Sequence, residues 1–385
     1  MAALLKVPTS VGSMRIRDVR VYSVAVPVTR VGHFSKRVVQ RVENTIVEIE
    51  TEDGFVGLGE TRGLWSADIV RVRFAPVILG MDALDKTAVR EACLPSEPFD
   101  FGYPEHLASR NAYSAIDIAL WDIAAKVDGK PLYDLLGGAV REKAPFCGYA
   151  YSDDPTAGYS NDELAARMAG IAVQQIEETG ACLFEYKIGL HTVDCEIKIA
   201  HAVRTALGPD VEIAVDANMA LSQDQALSFL EGVREARLVN IEEPVASLAA
   251  TEVVRERSGM PVSTHCYDGD TLARYPLIDA VVVDPQLVGG ITGFLEQLAL
   301  ADRLGKRIWL RARWELGIAW AVFCHLGLAC SQLNRPNQSL IAWVEDDLVL
   351  GERWRVRDGG VRPPKVPGLG VEIDRDALVH YSLRY

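Results

Sequence analysis

From about residue 143 onward the chain repeats one alternation: a short β-rich run, then an amphipathic helical segment, over and over. The strand candidates are FCGYA (146–150), CLFEYKI (182–188), VEIAVDA (211–217), VNIEE (239–243), PVSTH (261–265), AVVVD (280–284), RIWLR (307–311) and SLIAWV (339–344). Helical runs such as NDELAARMAGIAVQQIEETG and TVDCEIKIAHAVRTAL lie between them. Eight such units in about 200 residues are what a (β/α)8 barrel requires. An open doubly wound sheet is the competing α/β architecture, but it typically needs fewer strands and a Gly-rich nucleotide turn. No G-x-G-x-x-G follows the first strand of this region, and no P-loop sequence occurs anywhere. The pattern selects the barrel.

The residues before it read differently. RIRDVRVYSVAVPV is a strand, and VVQRVENTIVEIETEDGFVGLGET is a hairpin turning at Asp53-Gly54. Residues 64–140 read as helical. The strongest helix, AYSAIDIALWDIAAKVDG, opens at Ser109-Arg110-Asn111 and stops near Gly129 and Pro131. Strands followed by helices make a compact α+β unit. The expected organisation is a ragged leader (1–13), an α+β unit (14–142), a barrel (143–350) and a turn-rich tail (351–385) packed back over the first unit.

The charge balance narrows the partners. Against 40 Lys and Arg stand 53 Asp and Glu, a net charge of −13, which speaks against nucleic acid or an anionic membrane surface. Apolar stretches break well before the roughly 18 residues of a membrane helix. The 7 cysteines are scattered and never form C-x-x-C, as expected of reduced thiols in a cytoplasm. Small anionic substrates remain open, because a local cluster of cations can outvote the global charge.

Barrel active sites lie at the C-terminal ends of the strands. From the second strand onward those ends carry Lys187, Asp216, Glu242 with Glu243, His265, Asp284, Arg311 and Glu345, all ionisable. A rim of polar residues is common, yet such a continuous ring is costly to bury without a ligand or metal. Asp216 and Glu242 sit on consecutive strands, about 5 Å apart. Two carboxylates in one mouth call for a cation, and hard divalent ions take oxygen ligands.

GFVGLGET (54–61), YKIG (186–189), VDAN (215–218), IEEP (241–244) and VVDPQLVGGITG (282–293) resemble the enolase superfamily, in its mandelate racemase and muconate lactonizing branch. PVSTHCYD and GLGETRG are most similar to the glucarate dehydratase subgroup. The resemblance implies an N-terminal α+β capping domain over a modified (β/α)8 TIM barrel that holds one Mg²⁺. It implies removal of a proton next to a carboxylate, with the metal stabilising the resulting enediolate. Physically the parts belong together, since that proton is very weakly acidic and the developing charge needs a metal and cationic neighbours. The family's metal ligands map onto Asp216 and Glu242, and its base onto Lys187. Asn218, Glu185 and Arg313 are expected among the substrate contacts, with His33 and Lys36 where the capping domain's specificity loop falls. Glu345 maps to an eighth-strand carboxylate able to donate to the enediolate.

Three departures stand against that pattern. Where the family commonly shows Lys-x-Lys, this chain reads Glu185-Tyr186-Lys187. A glutamate there favours the charged form of a neighbouring amine, so Glu185 is expected to point elsewhere or pair with another cation. The third metal ligand maps onto His265, and imidazole suits Mn²⁺ or another softer ion better than Mg²⁺. Either the site prefers such an ion, or Asp268 or a water supplies the third oxygen. Last, Arg311 replaces a histidine on the seventh strand. Arginine stays protonated, so it either pairs with Asp284 or clamps a substrate carboxylate. The leading reading is a dehydratase (lyase) of a sugar acid or related 2-hydroxy acid, working as a homo-oligomer on a small anionic carboxylate. A racemase or cycloisomerase, and a non-catalytic ligand-binding protein on an inherited barrel, are the alternatives.

Overall fold

The computed structural model describes residues 14–35, 37–94 and 105–383; the leader and Lys36 lie outside the described residues. β1 (Ile16–Phe34) and β2 (Arg37–Thr51) form a long antiparallel hairpin, and β3 (Val56–Arg62) pairs with β2. The turn falls at Glu52-Asp53, with Gly54 at φ 85°. β3 lies hard against the helix Glu105–Val127, which starts earlier than the Ser109-Arg110-Asn111 signal suggests. The glycines of GFVGLGET explain how close the two can come. A Cβ on Gly59 would sit 1.8 Å from Ala115 O, and one on Gly57 2.1 Å from Ala119 O.

The second layer is a parallel sheet. β5 (Gly148–Ala150), β6 (Leu183–Lys187), β7 (Glu212–Asp216), β8 (Asn240–Glu242), β9 (Val262–Thr264), β10 (Ala280–Val283) and β11 (Arg307–Leu310) pair in chain order. Ahead of them, β4 (Ala144–Pro145) pairs with β12 (Gly360–Val361) of the tail. The intervening helices start where the chain supplies caps. Ser160 and Glu163 form a capping box before Asn161–Thr179, Ser222 and Gln225 do so before Gln223–Gly232, and Thr192 caps Val193–Leu207.

The eighth strand expected at 339–344 does not form; Ile341–Trp343 is a 3₁₀ turn instead. The buried Glu315 carboxylate accepts from Ser339 Oγ and from Leu340 N (2.6 Å), which takes that N–H out of any ladder. Ring closure falls to the two residues before it. Asn337 O accepts from Cys147 N at 2.9 Å, and Gln338 N donates to Leu310 O at 3.1 Å. The pair thus stitches the edge of β5 to the edge of β11.

The tip of the β1–β2 hairpin reaches the barrel mouth. His33 bridges to Ser152, and the Phe34 and Tyr151 ring centroids are 5.4 Å apart. Gly32 permits this docking, since a Cβ there would lie 2.8 Å from the Trp314 ring. The tail helix Arg375–Tyr381 packs on β1, with Leu383 N donating to Ser23 O at 2.8 Å. Among the described residues no helix is long and apolar enough to cross a membrane.

Candidate active site

Register sets the first half of the mouth. Lys187 stands opposite Asp216, and Asp216 opposite Glu242, at the C-terminal ends of β6, β7 and β8. Lys187 Nζ donates to Asp216 Oδ2. The same amine faces the rings of Phe34, Tyr149 and Tyr151 at 5.5, 5.8 and 5.9 Å from their centroids. Asn218 donates its N–H (2.8 Å) and its Nδ2 (3.2 Å) to Asp216. His265 follows β9, and its Nε2 lies 2.5 Å from Glu242 Oε1.

Burial and the nearby Arg311 charge hold the His265 imidazole well below its ordinary pKa, so it is neutral. Neutral imidazole is the form that binds metals. Burial and the Glu242 charge push the Asp216 carboxyl up. That strain is relieved by a cation between the two carboxylates. One ligand atom from each of Asp216, Glu242 and His265 lies within 4.8 Å of the others. The donor set of two carboxylates and one imidazole fits a divalent ion, with the imidazole pulling toward Mn²⁺ and its neighbours. Lys187 and His265 occupy the carboxylate oxygens such an ion would use. Asp268 is not among the donors, because it is exposed and caps the helix Gly269–Ala273 by accepting from Thr271 N. Glu243 turns away at φ 42° and accepts from Thr264 Oγ1 (2.8 Å) and His265 N (2.5 Å). It therefore fixes the histidine's backbone, while burial pushes its own carboxyl up to about 7.

The opposite half holds Asp284, Arg311 and Arg313. Arg311 N donates to Val283 O at 3.0 Å, which sets Arg311 beside the chain entering Asp284. The ion pair with Asp284, one of the two roles open to Arg311, does not form. Among the described residues no carboxylate oxygen lies within 4.0 Å of the Arg311 guanidinium. Asp284 Oδ1 instead accepts from Gln286 N at 2.8 Å, and Oδ2 is buried without a partner.

The chain's residues 16–137 match the model of the mandelate racemase and muconate lactonizing enzyme N-terminal domain, and 167–377 match the enolase C-terminal domain-like family. It belongs to the enolase superfamily, in the mandelate racemase and muconate lactonizing branch. A chloromuconate cycloisomerase from Pseudomonas putida is 26% identical over 96% of this chain and 99% of its own length. A probable glucarate dehydratase from Streptomyces coelicolor is 26% identical over 88% of this chain and 84% of its own. Among solved structures, an enolase from Thermobispora bispora complexed with magnesium and formate superposes with a TM-score of 0.84 at 26% identity, covering 96% of this chain and 92% of that one.

Membership in the superfamily makes the departures informative, and each has a physical address. Glu185, expected among the substrate contacts, is fully buried and spent inside the barrel. Arg335 Nη2 donates to its Oε2 at 2.8 Å, and Gln338 Nε2 donates to its Oε1. Gln338 Nε2 also donates to Glu242 Oε2 at 2.7 Å, and its Oε1 accepts from Ala312 N. Burial outweighs Arg335 and brings the Glu185 carboxyl up to about 7. Arg335 itself stacks 4.0 Å over the Trp309 ring.

Glu345 is exposed outside the mouth, its N–H on Pro27 O at 3.0 Å, because the strand meant to present it is absent. His33 is partly buried at the hairpin tip. Sequence reasoning missed Arg335 and Gln338 altogether, since nothing near them in the chain marks a site. Arg62 it missed too, although it directly follows GLGET.

Proposed function

We propose that this chain abstracts the α-proton of a small carboxylate, with Lys187 as base, and is a dehydratase of a sugar acid or related 2-hydroxy acid. Asp216, Glu242 and His265 would hold a divalent ion, Mg²⁺ or the softer Mn²⁺. When bound, that ion supplies positive charge to the enediolate formed as the proton leaves. The observation that carries the reading is the register of Lys187 with Asp216 and Glu242, which sets an amine beside the carboxylate pair. Phe34, Tyr149 and Tyr151 cover that amine and keep bulk water off the reacting carbon.

The chain supplies one base rather than two. Arg311 follows β11, and its guanidinium stays charged at any working pH, which argues against two-base racemisation. Lys187, once protonated, is placed to return that proton to a departing β-hydroxyl. Cycloisomerisation uses the same single lysine and is the second reading, favoured by the whole-chain likeness to a chloromuconate cycloisomerase.

The test is incubation with pooled 2-hydroxy acids and Mg²⁺ or Mn²⁺ in D₂O. Deuterium exchange with keto-acid formation marks dehydration; exchange alone marks a base without elimination. An acid that binds without exchanging identifies a ligand-binding protein. Lys187→Ala should slow exchange by about 10²–10⁴-fold while leaving metal binding in place. Exchange within about tenfold of wild type assigns the base elsewhere.

A further inference from the structure

The unpaired half of the mouth carries more positive charge than the fold needs. Arg62 ends β3 in the N-terminal unit and donates Nη1 to Arg313 O at 2.8 Å, bringing a third guanidinium to Arg311 and Arg313. Among the described residues none of the three has a carboxylate oxygen within 4.0 Å. Asp284 is the acidic group set among them, and its Oδ2 is buried without a partner. The buried Tyr267 hydroxyl faces the Arg311 guanidinium. Glu315 offers no compensation: Ser339 and Leu340 occupy its Oε1, and Arg313 N occupies its Oε2.

Buried polar atoms almost always find partners, and unpaired buried charges are costlier still. Half-buried guanidinium forks beside a buried carboxylate oxygen without a partner make a face suited to a polar ligand. The imbalance grows when a divalent ion takes Asp216 and Glu242, the carboxylates whose charges reach Arg311 from the other side. Burial already pushes Arg313 down to about 10, which an anion seated there would reverse.

We propose that Arg62, Arg311 and Arg313 form a second anion subsite across the seam of the two units, so that the substrate is a doubly anionic acid. One charged end lies at the Asp216–Glu242–His265 face. The other, a carboxylate or a phosphate, is gripped by the guanidinium forks, with Asp284 Oδ2 and Tyr267 accepting and donating to a hydroxyl between them. The proposal rests on the metal face of the proposed function but not on its proton transfer. Arg62 makes the grip depend on both units being docked.

The test is calorimetric binding to the Mg²⁺-loaded Lys187→Met protein, which separates binding from turnover. The probes are matched acids of four, five and six carbons: threonate with tartrate, xylonate with xylarate, gluconate with glucarate, and 6-phosphogluconate beside gluconate. At least one dianion should bind about tenfold or more tighter than its monoanionic match. Whether glucarate or 6-phosphogluconate gains more tells carboxylate from phosphate. Arg313→Lys, which keeps the charge but loses the fork, should erase most of that gain, as should Arg311→Lys, with monoanion affinity little changed. No preference for any dianion, or a preference that survives both variants, overturns the subsite. Proton exchange by wild type is read separately, so either proposal can fail alone.

Discussion

At the ends of β6 to β9, Lys187 meets Asp216 and His265 meets Glu242, while Asn218 and Gln338 take further carboxylate oxygens. Across the mouth, Asp284, Arg311 and Arg313 stand near one another with no ion pair, and one carboxylate oxygen has no partner at all. Both regions are strand ends of the same sheet, and both are rich in charge. Where the ionisable groups are paired with one another, the geometry is set before any ligand arrives, as proton transfer and metal ligation demand. Where groups are left unpaired, the protein has kept its hydrogen-bonding capacity for something that is not protein.

Removing a paired group should therefore hurt the protein itself, and removing an unpaired one should hurt only binding. The largest effect is expected at the metal face. Asp216→Asn or Glu242→Gln should abolish binding of Mg²⁺ or Mn²⁺ by calorimetry; unchanged occupancy in both would show that the paired half is a plain charge network. Next comes Arg335→Met, which strands the buried Glu185 carboxylate and should cost about 3–5 kcal/mol in denaturant unfolding. Adding Glu185→Gln should recover much of that loss, whereas additive effects would mean the pair is uncoupled.

The smallest effect concerns Glu196, whose Oε1 accepts from Gly189 N (2.8 Å) and His191 N (3.2 Å) in the loop after Lys187. Burial raises this carboxyl to about 7. A raised folded pKa means that its contribution to stability is full below its ordinary value near 4.5 and is lost as pH climbs through about 7. Glu196→Gln should flatten the stability profile across that window, and a profile identical to wild type would remove Glu196 from the account.

The same contrast explains what the sequence disclosed. Lys187, Asp216, Glu242 and His265 each end a short β-rich run, and strand register sets the first three side by side. Asp284 and Arg311 were also legible as neighbours, but not their failure to pair, because register fixes backbones rather than side-chain tips. The run SLIAWV has every local mark of a strand, and it is diverted by Glu315, a residue 25 positions from Leu340. Gln338 reaches Glu185 across 153 positions of chain, and no local pattern carries that information. What stayed hidden was the long-range polar network within the core.

Closure of the sheet by Asn337 and Gln338 has a consequence for how the molecule is made. Each of β6 to β11 pairs with the strand synthesised just before it, so the sheet can grow as the polypeptide emerges from the ribosome. Joining its two edges must wait for residues 337 and 338, and sealing β1 waits for Leu383. Until then two open edges of a parallel sheet face the cell, prone to sticking to other chains. The span between Cys147 and Asn337 is thus an interval of translation in which both edges of the sheet stay unpaired.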